Sequence, residues 1–302
     1  MPEQTNRTRR EQHHELFIGR LNQLFDPSLP AHLARLEELW RLSYPNDEYE
    51  GLKSDKWCDL GFQRSEPVPD LRGAGLPGVE NLCYFVEHRR AEFVRSFASG
   101  SLNCFAVSGL AVTLLLRGYL GLHDPGQRLM PVAPGVQMRA ATAVRHRYLA
   151  WLALDEMAFM QLNAVFLSSL QRNWLEAREA GWNLLDFPVL LVATRNHIAQ
   201  SLPNATTPLN LSHIETAARR HEPTIQLEPP PHACMIPGGV SSRHIRRPSR
   251  KLCGLCPVPD FTPKAHQIDS YRIARPITER QNTEVELKID APAPAVPRRS
   301  DG

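Results

Sequence analysis

Several things are missing from this sequence, and each absence narrows the reading. The opening MPEQTNRTRREQHHE has no apolar stretch of the kind a secretory leader needs. Pro2 stands where a myristoylation signal requires glycine. No apolar run reaches the roughly 20 residues of a spanning helix. The longest, Cys104 to Leu116, gives way at Arg117 and predicts a buried core helix instead. A strong charge of one sign is also lacking: 35 Lys+Arg against 32 Asp+Glu leave +3. With no clustered basic face in the body, a nucleic-acid partner is not expected. Cysteine is sparse, six in 302 residues. Cys58, Cys83 and Cys104 stand in apolar stretches where a thiol packs as a small hydrophobe, so a reducing compartment and no disulfide framework are expected. The expectation is a soluble, cytoplasmic protein without a transmembrane segment.

What is present is a core. Hydrophobic residues make up 42% of the chain, enough to exclude wholesale disorder. Proline then divides the chain, with 15 of 26 in residues 203–302, including Pro229-Pro230-Pro231. That stretch has almost no aromatic residues and carries 14 Lys+Arg against 10 Asp+Glu, so it holds the basic excess. It cannot bury enough apolar surface to offset its ordering entropy. Residues 203–302 are therefore expected to be a mostly disordered tail, and residues 8–202 an all-α domain.

Apolar residues fall at helical spacing through the body. Phe17, Leu21, Leu24 and Phe25 share a face and stop at Asp26-Pro27. Leu33, Leu36, Leu39 and Trp40 form a second stripe, entered through Ser28 and Pro30. Val79, Leu82, Cys83, Val86, Phe93 and Phe97 form a third. Cys104 to Leu120 is apolar nearly all round, the mark of a central helix. A Pro/Gly-punctuated stretch follows, His123 to Gly135. Helical patterns then run from about Ala143 to Gly181, and Asp186-Phe187-Pro188 opens a last helix to about Ser201.

One segment breaks this rhythm: Lys56 to Gly78, KWCDLGFQRSEPVPDLRGAGLPG. Gly61, Pro67, Pro69, Gly73, Gly75, Pro77 and Gly78 forbid a continuous helix. Trp57 and Phe62 call for burial and would anchor it. Arg72 sits among glycines that permit close backbone approach, and its guanidinium is planar, permanently charged and bidentate toward phosphate. A phosphate or carboxylate contact at Arg72 is one reading. A salt bridge to Asp70 or Glu80 that only shapes the loop is the other.

The string Trp57-x3-Gly61-Phe62-Gln63-x3-Pro67-x2-Asp70-Leu71-Arg72-Gly73-Ala74-Gly75, followed by Gly78-Val-Glu-Asn81-Leu82-Cys-Tyr84-Phe85, resembles the signature of the ELMO domain family. The resemblance covers about residues 15–202 and takes in the helices at Leu33–Trp40, Cys104–Leu120 and around Trp174. Leu71 stands where the family usually has phenylalanine, and Pro77 and Val79 replace leucines; all three are apolar packing positions. The family has a branch of long scaffolds, with armadillo-type repeats and a PH domain, that work with Rac exchange factors and lack the arginine. A second branch of short proteins retains it and activates GTP hydrolysis by Arf-family and Arf-like GTPases. This chain is similar to the second.

The resemblance implies a function. A small GTPase of the Arf/Arf-like group would be the partner and Arg72 an arginine finger, stabilising charge that develops on the transferred phosphoryl group. Asp70 would orient Arg72, and Gly73 and Gly75 would let the loop enter the nucleotide cleft. Trp57 and Phe62 would pin the loop, with Gly61 and Pro67 shaping it and Gln63 bonding its backbone. Magnesium and the water-orienting glutamine would come from the GTPase, so no cofactor is expected here. Membrane recruitment would come through that partner. A non-catalytic adaptor that binds a GTPase or an exchange-factor complex through the same surface is the alternative.

Other features carry less. Cys253-Gly-Leu-Cys256 offers two metal ligands, and His232, Cys234, His244 and His266 show no second paired spacing, so no metal site is expected. Arg243 to Lys251 is a basic cluster that a solvated tail explains. His13-His14 has no metal partner in sequence range.

Overall fold

The computed structural model describes residues 15–98, 104–122, 140–155 and 157–223. The stretch 123–135, His13-His14, the CxxC pair and the basic cluster at 243–251 lie outside them. Among the described residues the chain is helical and has no strand.

Residues 15–21 are helical (α1). The helix stops earlier than its apolar pattern suggests, and Leu24, placed on its face by spacing, is exposed. Next, α2 spans Pro30–Ser43. Pro30 opens its first turn as expected, but Ser28 does not cap it: Leu29 stands at the N-cap, and Ser28 donates from N (2.8 Å) and Oγ (2.7 Å) to the Asp26 carboxylate. A short α3, Asp55–Asp59, and a 3-10 turn, Val68–Arg72, punctuate the irregular segment. The third apolar stripe proves to be two helices, α4 at Gly75–His88 and α5 at Arg90–Ala98, broken at Arg89. Periodicity read through the break because both helices turn their apolar faces to the same core.

The central helix α6, Phe105–Leu120, is buried on nearly every side and ends on Gly121 in the left-handed conformation. It crosses α4 closely: a Cβ on Gly78 would meet Leu110 Cδ2 at 2.6 Å, and one on Gly109 would meet Leu82 Cδ2 at 2.5 Å. At the same crossing Thr113 Oγ1 accepts from Asn81 Nδ2 (2.9 Å) and Asn163 Nδ2 (3.0 Å). Such directional bonds fix how three helices sit against one another where apolar contact alone would permit sliding.

The remaining helices among the described residues are α7 (Thr142–Leu152), α8 (Ala158–Glu179), α9 (Phe187–Asn204) and α10 (Leu211–Arg220). Asp186 stands at the start of α9, as expected, but its carboxylate accepts from Asn183 N in the preceding turn (2.9 Å). Two cores result. An aromatic one gathers Trp40, Trp57, Phe62, Phe85, Phe93 and Phe105 around α2, α4 and α6. The other gathers residues of α6 to α10, with Tyr148, Phe166 and Trp174 at its centre.

The boundary expected at residue 202 falls inside this packed body. Ile214, Ala217 and Ala218 of α10 are buried against α8 and α9. Proline content averaged over 203–302 hid a ten-residue helix whose apolar face is one isoleucine and two alanines.

Candidate functional site

The segment Lys56 to Ala74 lies across the aromatic core. Trp57 is fully buried, edge-on to Trp40 (centroids 5.1 Å) and Phe62 (5.6 Å), and its indole N–H donates to Gly51 O (3.1 Å). Aromatic pairs in this geometry add to what burial alone supplies. Gly61 takes φ +95, and Phe62 N donates back to Trp57 O (3.0 Å). This tight turn aims two carbonyls at the start of α6: Ala106 N donates to Leu60 O (3.1 Å) and Val107 N to Gly61 O (3.2 Å). The loop thus satisfies amides that a helix leaves open at its N-terminus.

Pro67 is buried and opens the 3-10 turn, where Asp70 N donates to Pro67 O (3.0 Å). Asp70 does not pair with Arg72. Its carboxylate accepts from Gln63 N (2.7 Å) and closes the loop on itself. Burial raises its pKa, an effect opposed by that hydrogen bond and by Arg64. Gln63 thus takes part through its own backbone N–H and a side-chain acceptor, not through a side-chain bond to loop backbone, and it is exposed.

Leu71 is 0% exposed, set in the aromatic core, and the next residue, Arg72, is exposed. Both acids that could have neutralised it are occupied, Asp70 by Gln63 N and Glu80 by Arg20 at 3.5 Å. The Arg72 guanidinium makes no ion pair or hydrogen bond with any described residue.

The two glycines after it serve a different approach from the one expected. A Cβ on Gly73 would stand 3.3 Å from Leu114 Cδ1. One on Gly75, at φ +67, would stand 2.2 Å from Gln23 O, which accepts from Leu76 N (2.9 Å). Gly75 thus admits the chain's own backbone, in the turn after α1, and Gly73 admits the Leu114 side chain of α6.

Sequence reasoning missed the residue that ties these pieces together. Arg117, 3% exposed, donates from Nη1 to Gly73 O (3.3 Å) and Ala74 O (3.5 Å) and from Nη2 to Asn22 Oδ1. The available signal was an arginine inside a helix otherwise apolar all round. Burying a cation there is costly unless it is hydrogen-bonded, and both amino groups of Arg117 are.

Other chemistry finds little support. Burial raises the Cys83 thiol and pushes that of Cys104 up to about 12, so neither supplies a thiolate near neutral pH. Cys58, expected to pack inside, is half-buried. Among the described residues no three His, Cys, Asp or Glu side chains gather as metal ligands. No described helix is long and apolar enough to cross a membrane.

Known proteins resemble this chain in sequence. ELMO domain-containing protein 1 of Mus musculus is 30% identical over 171 residues, covering 47% of this chain and 52% of that protein. The Homo sapiens protein of that name is 28% identical over 179 residues, covering 47% and 53%. ELMO domain-containing protein C of Dictyostelium discoideum is 30% identical over 102 residues, covering 34% of this chain and 16% of its own length. The chain thus spans about half the length of the first of these relatives or less. No solved structure matches it. The sequence profile of the ELMO/CED-12 family matches residues 15–190, from α1 into α9 and more than half of the chain. The chain belongs to the ELMO/CED-12 family.

Proposed function

We propose that this protein is a GTPase-activating protein for a small GTPase of the Arf/Arf-like group, and that Arg72 is its arginine finger. One observation carries the reading: an exposed guanidinium, unpaired among the described residues, on a turn anchored on both sides. A side chain held only by flexible contacts would lose ordering entropy on docking; one whose backbone is already fixed loses less.

GTP hydrolysis spreads negative charge over the transferred phosphoryl oxygens and the leaving oxygen. A guanidinium brought to that position stabilises the transition state more than the ground state, which is the condition for acceleration. Trp57, Phe62 and Pro67 act through the loop they anchor, and Asp70 acts by closing it, not by touching Arg72. The GTPase brings the magnesium and the glutamine that orients water. The protein works in the cytoplasm and reaches membranes through its partner.

The test is single-turnover GTP hydrolysis by a panel of Arf and Arf-like GTPases. Wild type accelerates at least one member by about 10³-fold or more, Arg72→Ala abolishes the effect, and Arg72→Lys restores little because an ammonium lacks the bidentate fork. If wild type binds a panel member without accelerating it, the adaptor reading replaces this one.

A further inference from the structure

We infer that Arg117 is a positioning residue that sets where Arg72 stands. This rests on the reading of Arg72 as the finger, although its geometric half does not. Arg117 comes from the last turn of α6 and reaches the two carbonyls that directly follow Arg72 in the chain, Gly73 O at 3.3 Å and Ala74 O at 3.5 Å. Its other amino group holds the Asn22 carboxamide oxygen. Asn22 is itself fixed, donating from Nδ2 to Ile18 O (2.8 Å) and Leu122 O (2.9 Å). One guanidinium therefore joins three pieces: the turn after α1, the C-terminal end of α6, and the backbone between the 3-10 turn and α4.

The site is built for a planar fork. Gly75 packs on the Gln23 carbonyl, Leu76 N bonds that same oxygen, and Leu71 is locked in the core. The segment from Leu71 to Leu76 is thus tied at each end, with the Arg117 bonds between the ties. Lysine carries the same charge but cannot reach carbonyls and carboxamide together from one plane. Removing the bonds to Gly73 and Ala74 lets the backbone under Arg72 shift, and a displacement of about 1 Å at a catalytic group costs roughly 10²-fold in rate.

Two variants test this, Arg117→Lys and Asn22→Ala, the second leaving the arginine in place should the first fail to fold. Hydrogen exchange is measured on each protein alone. Amides 71–76 are expected to exchange about 10-fold faster, with the thermal midpoint nearly kept. In single-turnover hydrolysis the maximal rate is expected to fall about 10–100-fold, while the concentration giving half-maximal stimulation stays within about threefold. A merely structural role would lower the amount of active protein and leave the maximal rate per folded molecule unchanged. Unchanged exchange at 71–76 in the folded variants overturns the clamp, and an unchanged maximal rate overturns its role in positioning. If wild type stimulates no GTPase, the finger reading falls, and the exchange measurement still decides whether Arg117 fixes this segment.

Discussion

The segment from Lys56 to Ala74 holds one turn of α-helix and one of 3-10 helix, yet it is fastened along its whole length. Trp57, Phe62 and Leu71 are buried, Asp70 closes it onto Gln63 N, and Arg117 grips its end. Helix α10 is regular throughout and is held by much less. Its buried face is Ile214, Ala217 and Ala218, assisted by the His197 ring on Ala218 O (2.7 Å) and the Arg89–Glu215 ion pair. Secondary structure is therefore a poor guide to which of the two is rigid. The free energy of local opening follows buried apolar contact and satisfied polar groups, not helical content.

The largest expected effect would break the irregular segment. Trp57→Ala deletes a fully buried indole that touches Trp40 and Phe62 and bonds Gly51 O. Phe and Trp truncations in cores cost about 3–5 kcal/mol. Urea unfolding should show that loss as a lower midpoint of the whole transition, because the loop is part of the core and caps α6. Local loosening at 56–74 with an unchanged midpoint would reverse the comparison.

The mirror experiment is Ile214→Ala. Large-to-small changes of this type cost about 2–5 kcal/mol, and the lower end suits a helix near the end of the packed body. About 2 kcal/mol corresponds to roughly 30-fold faster exchange. That acceleration should be confined to amides 211–220, with those of 56–74 untouched. Acceleration in both segments would make α10 part of the same cooperative unit.

These two segments were not equally legible. The loop announced itself through clustered glycine, proline and two buried aromatics, and its membership of the family signature located Arg72. Its internal bonding was not readable, because Asp70–Gln63 N and Arg117–Gly73 O join residues by backbone groups that every sequence carries. Arg117 itself read only as the end of an apolar run. The helices α2, α6 and α9 followed from periodicity, since long apolar stripes outweigh local noise. The break at Arg89 did not, because no glycine or proline marks it. Helix α10 was hidden by its small side chains and by the proline-rich residues around it.

A pH titration sharpens the comparison by sign. Burial lowers the pKa of His197 below its usual 6.5, opposed by Ala218 O and Glu222 and reinforced by His221 and Arg172. A carbonyl only accepts, so Nε2 carries the proton, and Nδ1 faces Ser169 Oγ at 3.3 Å. The folded state favours neutral imidazole. Its contribution is therefore complete above the unfolded pKa and lost as pH falls from about 6.5 through the lower folded value. Asp70 runs the other way: its folded pKa is raised from 3.8, so its contribution is greatest below that value and declines as pH rises through the folded one. Protection of amides 211–220 relative to their intrinsic exchange rates should fall below about pH 6.5, and His197→Gln should flatten that dependence. An unchanged slope in the variant would remove His197 as its source.

The smallest effect concerns the ion pair that joins α10 to the break between α4 and α5. Arg89 and Glu215 are each about a quarter exposed, 28% and 23%, and each has a second partner, Glu92 at 3.7 Å and Arg219 at 3.8 Å. Partial solvation and alternative partners both reduce what one pair contributes. A double-mutant cycle of Arg89→Ala and Glu215→Ala should give a coupling of at most about 1 kcal/mol, shrinking as salt rises. If the coupling instead approached the Ile214 effect, α10 would be held by charge more than by its apolar face. Ionic strength would then release this helix and leave the loop that carries Arg72 in place.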